Sequence, residues 1–245
     1  MNAFEIAALS MDGDQQRLTG ISQNLANVQT PGYKRLVSAH RPFTEAIALA
    51  AAAADAPTAG AVDADTRLDM SPGALRPSAN PLDLAVGGDG FFEFETPQGP
   101  ALSRQAALHV DSQGRLVNDA GLAVRTDRGE LRVPLPVGAL RVDTQGEVFA
   151  DDRSLGHLLL SRVGEPSRLQ PLGGGLYRPA AGDATQAIDS PQVMPGQREG
   201  SNVSSSAEMV RLMETARHFE AMAKVAQGYD DAMDKAIRKL GDLGT

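Results

Sequence analysis

Four histidines are the side chains best suited to metal binding or proton transfer in this sequence, and their spacing argues against both roles. His40, His109, His157 and His218 are scattered, and no i, i+4 pair exists that would place two imidazoles on one metal. They read as surface or hydrogen-bonded histidines. Gly87-Gly88-Asp89-Gly90 has the glycine content of a phosphate loop. No helix is expected after it to point an N-terminus at a phosphate, and no G-x-x-x-x-G-K-[ST] occurs, so a hairpin turn explains it as well. Asp151-Asp152 and two Asp-x-x-Gly turns suggest calcium, but oxygen ligands at positions 1, 3, 5 and 12 around a central glycine are missing. There is no G-x-S-x-G elbow and no cysteine, which removes disulfides, thiolate metal sites and cysteine nucleophiles together. Nothing singles out a carboxylate pair for glycoside cleavage. The sequence therefore predicts no catalytic residue, no cofactor site and no metal ligand set.

The elements that would position such groups are informative in themselves. Phe4, Ala7, Met11, Leu18, Ile21, Leu25 and Val28 step by three or four residues, interrupted only by Asp14. Near the other end Met209, Leu212, Ala216, Phe219, Ala223, Ala226, Met233, Ile237 and Leu240 follow the same rule, interrupted only by Asp230. Such spacing averages about 3.5 residues, the repeat of helices that wind together around a hidden stripe. The expected fold class is α+β: long N- and C-terminal helices pairing as a coiled coil, with an all-β, hairpin-rich central domain. Asp14 and Asp230 are expected to stay wet or, alternatively, to set the register of the pair. Gly13 and Gly20 lie seven apart inside the first helix, where each costs about 1 kcal/mol relative to Ala, so they mark either close approach by a neighbouring backbone or tolerated drift.

Between the ends the texture changes. The first helix should stop at Thr30-Pro31-Gly32, because proline biases the residue before it away from helix. Residues 1–39 are expected to form this helix and its turn, and 40–80 an Ala/Pro-rich connector with a short helix at Ala46 to Ala54. Residues 81–195 read as the β domain, and 196–245 as a linker and the last helix, begun by a Ser205/Glu208 capping box. A weak repeat, Val110-Asp-Ser-Gln-Gly-Arg-Leu116 and Val142-Asp-Thr-Gln-Gly-Glu-Val148, has the chemistry of tight hairpins.

The 245 residues contain 42% hydrophobic side chains but only 4% aromatic ones and no Trp, which suits helix seams and thin sheets better than a deep pocket. A net charge of -8 without clustered Lys or Arg excludes nucleic acid as a partner class. No stretch is long and apolar enough to span a bilayer, and the acidic start lacks the layout of a cleaved secretion signal.

Three segments carry a family resemblance. Ile21-Ser-Gln-Asn24-Leu25-Ala26-Asn27-Val-Gln-Thr30-Pro-Gly32-Tyr33-Lys34 resembles the N-terminal signature of the bacterial flagellar rod and hook proteins, with Gln23 where Asn is usual. Asn80-Pro-Leu82-Asp83-Leu-Ala-Val-Gly87-Gly-Asp-Gly90-Phe91-Phe92 is similar to the second signature, at the start of the family's β domain, and Ser201-Asn202-Val203 to the third, before the terminal helix. Leu102-Ser-Arg-Gln105 departs from the family's Y-T-R-x-G. The resemblance implies a structural subunit of the periplasmic axial filament, exported without a cleaved signal by the flagellar type III apparatus. Its partners would be other rod proteins and copies of itself, met through the terminal helices, and it would transmit torque for motility. Arg217-x-Phe219-Glu220 with Lys224 is similar to the proximal-rod type, next to which the distal-rod or hook type is the alternative. A periplasmic hydrolase or carbohydrate-binding protein using the β body is the reading from another class.

Overall fold

Apolar residues at helical spacing, with no proline before Pro31, let the N-terminal segment run as a single helix, α1 (Ala3–Ala26), about 36 Å long at 1.5 Å per residue. The C-terminal segment forms α2 (Ser205–Asp242), about 57 Å long by the same rise. The computed structural model describes residues 3–38, 66–134, 138–151, 153–180 and 182–242. His40, the short helix expected at Ala46 to Ala54 and most of the 40–80 connector lie outside the described residues, as do the side chains of Ile237 and Leu240. The chain divides into two units: Met1–Ala26, Leu36–Thr66 and Ser204–Thr245 form the first, and Asn27–Arg35 with Arg67–Val203 the second.

In the first unit the expected coiled coil is corrected. Among the described residues there are two α-helices, the remainder being mostly short antiparallel strands, and the two helices do not mesh through an apolar seam. The most buried positions of α1 are Ala7, Asp14, Ile21 and Asn24, and those of α2 are Glu208 and Thr215. A seam that hides an Asp, an Asn and a Glu cannot be the continuous apolar stripe on which coiled-coil packing depends. Correspondingly, Phe4 is 45% exposed, Met209 51% and Met233 46%. The α+β class stands; the coiled-coil pairing does not.

The second unit is built from small antiparallel sheets. The largest has six strands in the order Gln170–Gly173, Leu176–Arg178, Gly99–Ser103, Phe91–Thr96, Leu160–Val163 and Thr185–Ala187. A three-stranded sheet places Asp83–Gly87 between Gln192–Pro195 and Gln105–Ala107. Leu84, Val86, Phe92, Phe94, Leu108, Leu116, Val148 and Leu160 form one core. Glu93 is buried on the opposite side of its strand, where Arg125 meets it at 2.9 Å and Ser161 donates a hydrogen bond to it.

The two repeat turns have the expected geometry. Asp111 Oδ1 accepts the backbone N–H groups of Gln113 and Arg115, and Asp143 Oδ1 accepts those of Gln145 and Glu147, while Gly114 and Gly146 sit at φ +78° and +79°. A third turn of the same build, missed because Asn replaces Asp, spans Asn118 to Leu122: Asn118 Oδ1 accepts from Ala120 and Leu122, with Gly121 at φ +75°. Gly87-Gly88-Asp89-Gly90 is not a hairpin. The strand before it pairs with Gln192–Pro195 and Gln105–Ala107, and the strand after it pairs with Gly99–Ser103 and Leu160–Val163. The loop carries the chain from one sheet to another.

Candidate functional site

The densest polar chemistry lies in the second unit, where the segment after α1 in sequence meets the segment before α2. Lys34 is 0% exposed and Glu199 1%. Lys34 Nζ stands 2.6 Å from Glu199 Oε1 and donates to the Ser71 carbonyl at 2.8 Å. Glu199 Oε1 also accepts the Gly73 N–H at 2.8 Å, and Oε2 lies 3.3 Å from Arg104 Nε. One carboxylate is thus held between two buried cations. Arg104 directs its remaining N–H groups to the carbonyls of Gly88, Gly90 and Val86, and its guanidinium lies 5.7 Å from the Phe91 ring centre. The glycine-rich loop therefore presents carbonyl oxygens to an arginine, the opposite polarity to a phosphate cradle.

Around this ion cluster the backbones are tied directly. Gly32 N–H donates to the Glu199 carbonyl at 2.8 Å, and Arg35 N–H to Asn202 Oδ1 at 2.7 Å. Asn202 Nδ2 reaches the Asp69 and Ser71 carbonyls. Tyr177 accepts the Lys34 N–H at 2.6 Å and donates to the Gly32 carbonyl at 3.0 Å. Two glycines permit the crossing: a Cβ on Gly73 would lie 1.9 Å from the Gly200 carbonyl oxygen, and one on Gly175 2.6 Å from that of Pro31. The second signature has its own knot, in which Asn80 Nδ2 and Ser78 Oγ donate to Asp83 and Arg198 lies 3.2 Å from it.

Burial lowers the Lys34 pKa below its ordinary 10.5, with the Glu199 hydrogen bond opposing. Burial also holds the Tyr177 phenol above its ordinary 10. Above about pH 10 an unfolded Tyr177 ionises while the folded one keeps its proton, so the phenol makes stability fall as pH rises there. Lys34 acts with the opposite sign up to 10.5, because the unfolded side chain holds its proton longer. Comparing urea midpoints between pH 9 and 11 for the native chain and Tyr177→Phe isolates the phenol. The native chain should lose up to about 1.4 kcal/mol per pH unit more than the variant.

In the first unit the signature residue Asn24 acts as a clamp. Its side chain accepts the Leu36 N–H at 2.8 Å, donates to the Leu36 carbonyl at 2.9 Å, and reaches Glu208 Oε2 at 3.3 Å. Glu208 also pairs with Arg211. The helix begins at Ser205, so the expected capping-box carboxylate is turned toward Asn24 and Arg211. Asp14 is 2% exposed and hydrogen-bonded to His218, with Arg17 at 3.4 Å, so its carboxylate is not wet; Asp230 is exposed.

Of the expected seam, Ala7 and Ile21 are buried, while Met11, Leu18, Leu25, Val28, Leu212, Ala216, Phe219, Ala223 and Ala226 are half-buried. Among the signature residues, Tyr33, Lys34, Asp83, Phe91, Phe92 and Val203 are buried, Ala26 is exposed, and Thr30 bonds back to Asn27. Ser201 accepts the Val203 N–H. Arg104, Glu199 and Tyr177 were not singled out by sequence; the only cue was Arg104 itself, at a bend between two strands whose other residues depart from the family pattern.

A cleft of about 510 Å³ opens beside the cluster, lined by Met70, Pro72, Leu75, Phe91, Pro166 and Met194 with Arg104 and Glu199. Its buried acid, Glu199, is fully engaged as an ion-pair partner. Among the described residues no group of three or more His, Asp or Glu could hold a metal, and no helix is long and apolar enough to cross a membrane.

The comparisons agree with this arrangement of signatures. A family model described as "Flagellar basal body rod FlgEFG protein C-terminal" matches residues 194–239, and "Flagellar hook protein FlgE/F/G D1 domain" matches 85–150. The flagellar basal-body rod protein FlgF of Escherichia coli is 30% identical over 251 residues, covering 96% of each chain. The FlgF of Caulobacter vibrioides is 26% identical, with 94% of each chain covered. The FlgG of Agrobacterium fabrum is 29% identical over 98% of this chain and all of its own. With three signatures in order, each tied into a buried polar knot, and full-length similarity to rod proteins, the chain belongs to the bacterial flagellar basal-body rod protein family and is a structural subunit of the rod.

Proposed function

We propose that the chain is a subunit of the proximal rod. On this reading residues 1–39 and 196–245 contribute the axial part, 81–195 the outer β body, and 40–80 the connector. The exposed and half-buried seam positions, among them Phe4, Met11, Leu18, Met209 and Met233, face neighbouring copies and other rod proteins. Delivery is by the flagellar type III export apparatus into the periplasm, and the protein has no catalytic or cofactor-dependent step.

One observation carries the reading: the signature residues Lys34 and Asn24 have their polar groups closed on partners within the chain. Lys34 and Arg104 flank Glu199, with backbone carbonyls taking other N–H groups of both cations, and Asn24 is closed on Leu36 and Glu208. A subunit that transmits torque needs such internal ties, whereas a hydrolase needs an acid or base left open to substrate. Arg217, Phe219, Glu220 and Lys224 favour the proximal over the distal type. Relatives named FlgF and FlgG match at similar identity, so position along the rod is the property to test. Basal bodies isolated from cells whose rods stall before distal growth should contain the chain in stoichiometric amount. Its absence from such short rods, with presence in complete ones, would move it to the distal segment.

Gly13 offers a second test. Among the described residues nothing approaches within 4 Å of where its Cβ would lie, and Gly20 faces only Ser38 Oγ at 3.8 Å. The open strip on α1 is proposed as the place where a neighbour's backbone comes close. Gly13→Ala should raise the melting free energy of α1 by about 1 kcal/mol while reducing swimming and rod incorporation. Native motility in that variant would mean that the strip is not an interface.

A further inference from the structure

Two polar couples join α1 to α2: the buried Asp14 with the exposed His218, and Asn24 with Glu208, both buried. Asp14 and Asn24 are ten residues apart on α1, and Glu208 and His218 are ten residues apart on α2, in the reverse order. Both couples therefore belong to a single antiparallel register, about 15 Å apart along the helices. The remainder of the contact face is permissive. On α1 the buried positions Ala7, Asp14 and Ile21 recur every seventh residue. On α2 Glu208, Thr215, Met222 and Tyr229 do the same, all buried or half-buried. A slide by seven residues, about 10.5 Å, would present a stripe of the same spacing again, so the periodicity alone does little to forbid it.

We propose that the Asp14–His218 and Asn24–Glu208 couples select this register of α1 on α2. A slide of seven residues removes both couples at once. In one direction it sets Asp14 opposite Val225, so the buried carboxylate loses its partner on α2 and keeps only Arg17 of its own helix, at a desolvation cost. In the other it sets Asp14 opposite Arg211, which Glu208 already holds. Asn24 is itself fixed by Leu36, so its amide is presented to Glu208 in one orientation. Single polar residues within an otherwise apolar contact are known to specify register in this way, at some cost in stability. Asp230, exposed further along α2, has no part in the selection. The inference concerns the first unit alone and does not depend on position along the rod.

The chain has no cysteine, so disulfide trapping reports register without background. Ser10→Cys is combined with Met222→Cys for the observed register, and with Thr215→Cys or Tyr229→Cys for registers displaced by seven. With both couples intact, the 10–222 pair should oxidise at least about tenfold faster than either displaced pair. Asp14→Ala with Glu208→Ala breaks both couples and should raise trapping of a displaced pair about tenfold or more. The exchanged pair, Asp14→His with His218→Asp, should return trapping to the 10–222 position when Asn24 and Glu208 are kept. Comparable rates for all three pairs in the otherwise native chain would overturn the proposal. So would silent displaced pairs after both couples are broken while circular dichroism still reports both helices. If the broken-couple variant loses its helices, the exchanged pair decides: failure to favour 10–222 counts against selection by the couples.

Discussion

Glu199→Gln should destabilise the second unit by about 3–5 kcal/mol, the usual cost of leaving a buried charge without its partner. The substitution keeps the shape of the side chain but removes its charge and turns one acceptor oxygen into a donor NH2, which cannot accept from Lys34, Gly73 or Arg104. Lys34 and Arg104 then remain as two buried cations with no carboxylate between them. Arg104 retains the carbonyls of Val86, Gly88 and Gly90, so Lys34 bears most of the penalty. Its direction of relief is specific. Burial already lowers the Lys34 pKa, and loss of Glu199 removes the group that opposes this. The folded variant can shed the proton while the unfolded chain keeps it up to about 10.5, so the deficit should shrink as pH rises from 7 toward that value. Lys34→Met in the same background should recover part of the loss at neutral pH and abolish its pH dependence. Urea denaturation followed by tyrosine fluorescence is suited to this, since Tyr33 and Tyr177 lie in the second unit and the chain has no Trp. A loss under about 1 kcal/mol would mean that water reaches the cluster and screens it as at a surface.

Gly73→Ala should cost about 3 kcal/mol, although it adds one methyl group to a loop. The added carbon would meet the Gly200 carbonyl oxygen at 1.9 Å and that carbonyl carbon at 2.9 Å, both backbone atoms. A backbone neighbour cannot rotate away as a side chain can, so the two strands must separate. Separation stretches Gly73 N–H to Glu199 and Gly200 N–H to Ala74, each near 2.8–2.9 Å in the native chain. The effect should therefore reach Lys34 through Glu199. Gly228→Ala is the control, because no atom of the described residues lies within 4 Å of the added carbon and the residue is inside α2. It should stabilise by up to about 1 kcal/mol, through helix propensity alone. Equal and small effects at both glycines would show that the crossing of residues 73 and 200 is looser than its geometry.

What the linear order of residues determined by itself was local chemistry and family. The Asp-x-x-Gly turns follow from an acceptor two residues ahead of the N–H it binds and a glycine free to take positive φ, both readable in five residues. The helix stop before Pro31 and the three signatures are equally local. Charge partnership was not legible, because it joins residues far apart in sequence. Lys34 and Glu199 are separated by 165 positions, and Asp14 and His218 by 204. Periodicity located the seams but weighted every apolar position alike, which is why a coiled coil was expected where Asp14, Asn24 and Glu208 are among the most buried positions. The glycine-rich loop shows the same division: its freedom to turn lies in its composition, whereas its passage between sheets depends on Arg104 holding its carbonyls. Only the folded chain brings such groups within hydrogen-bonding distance and out of water, and burial is what makes a charge decisive.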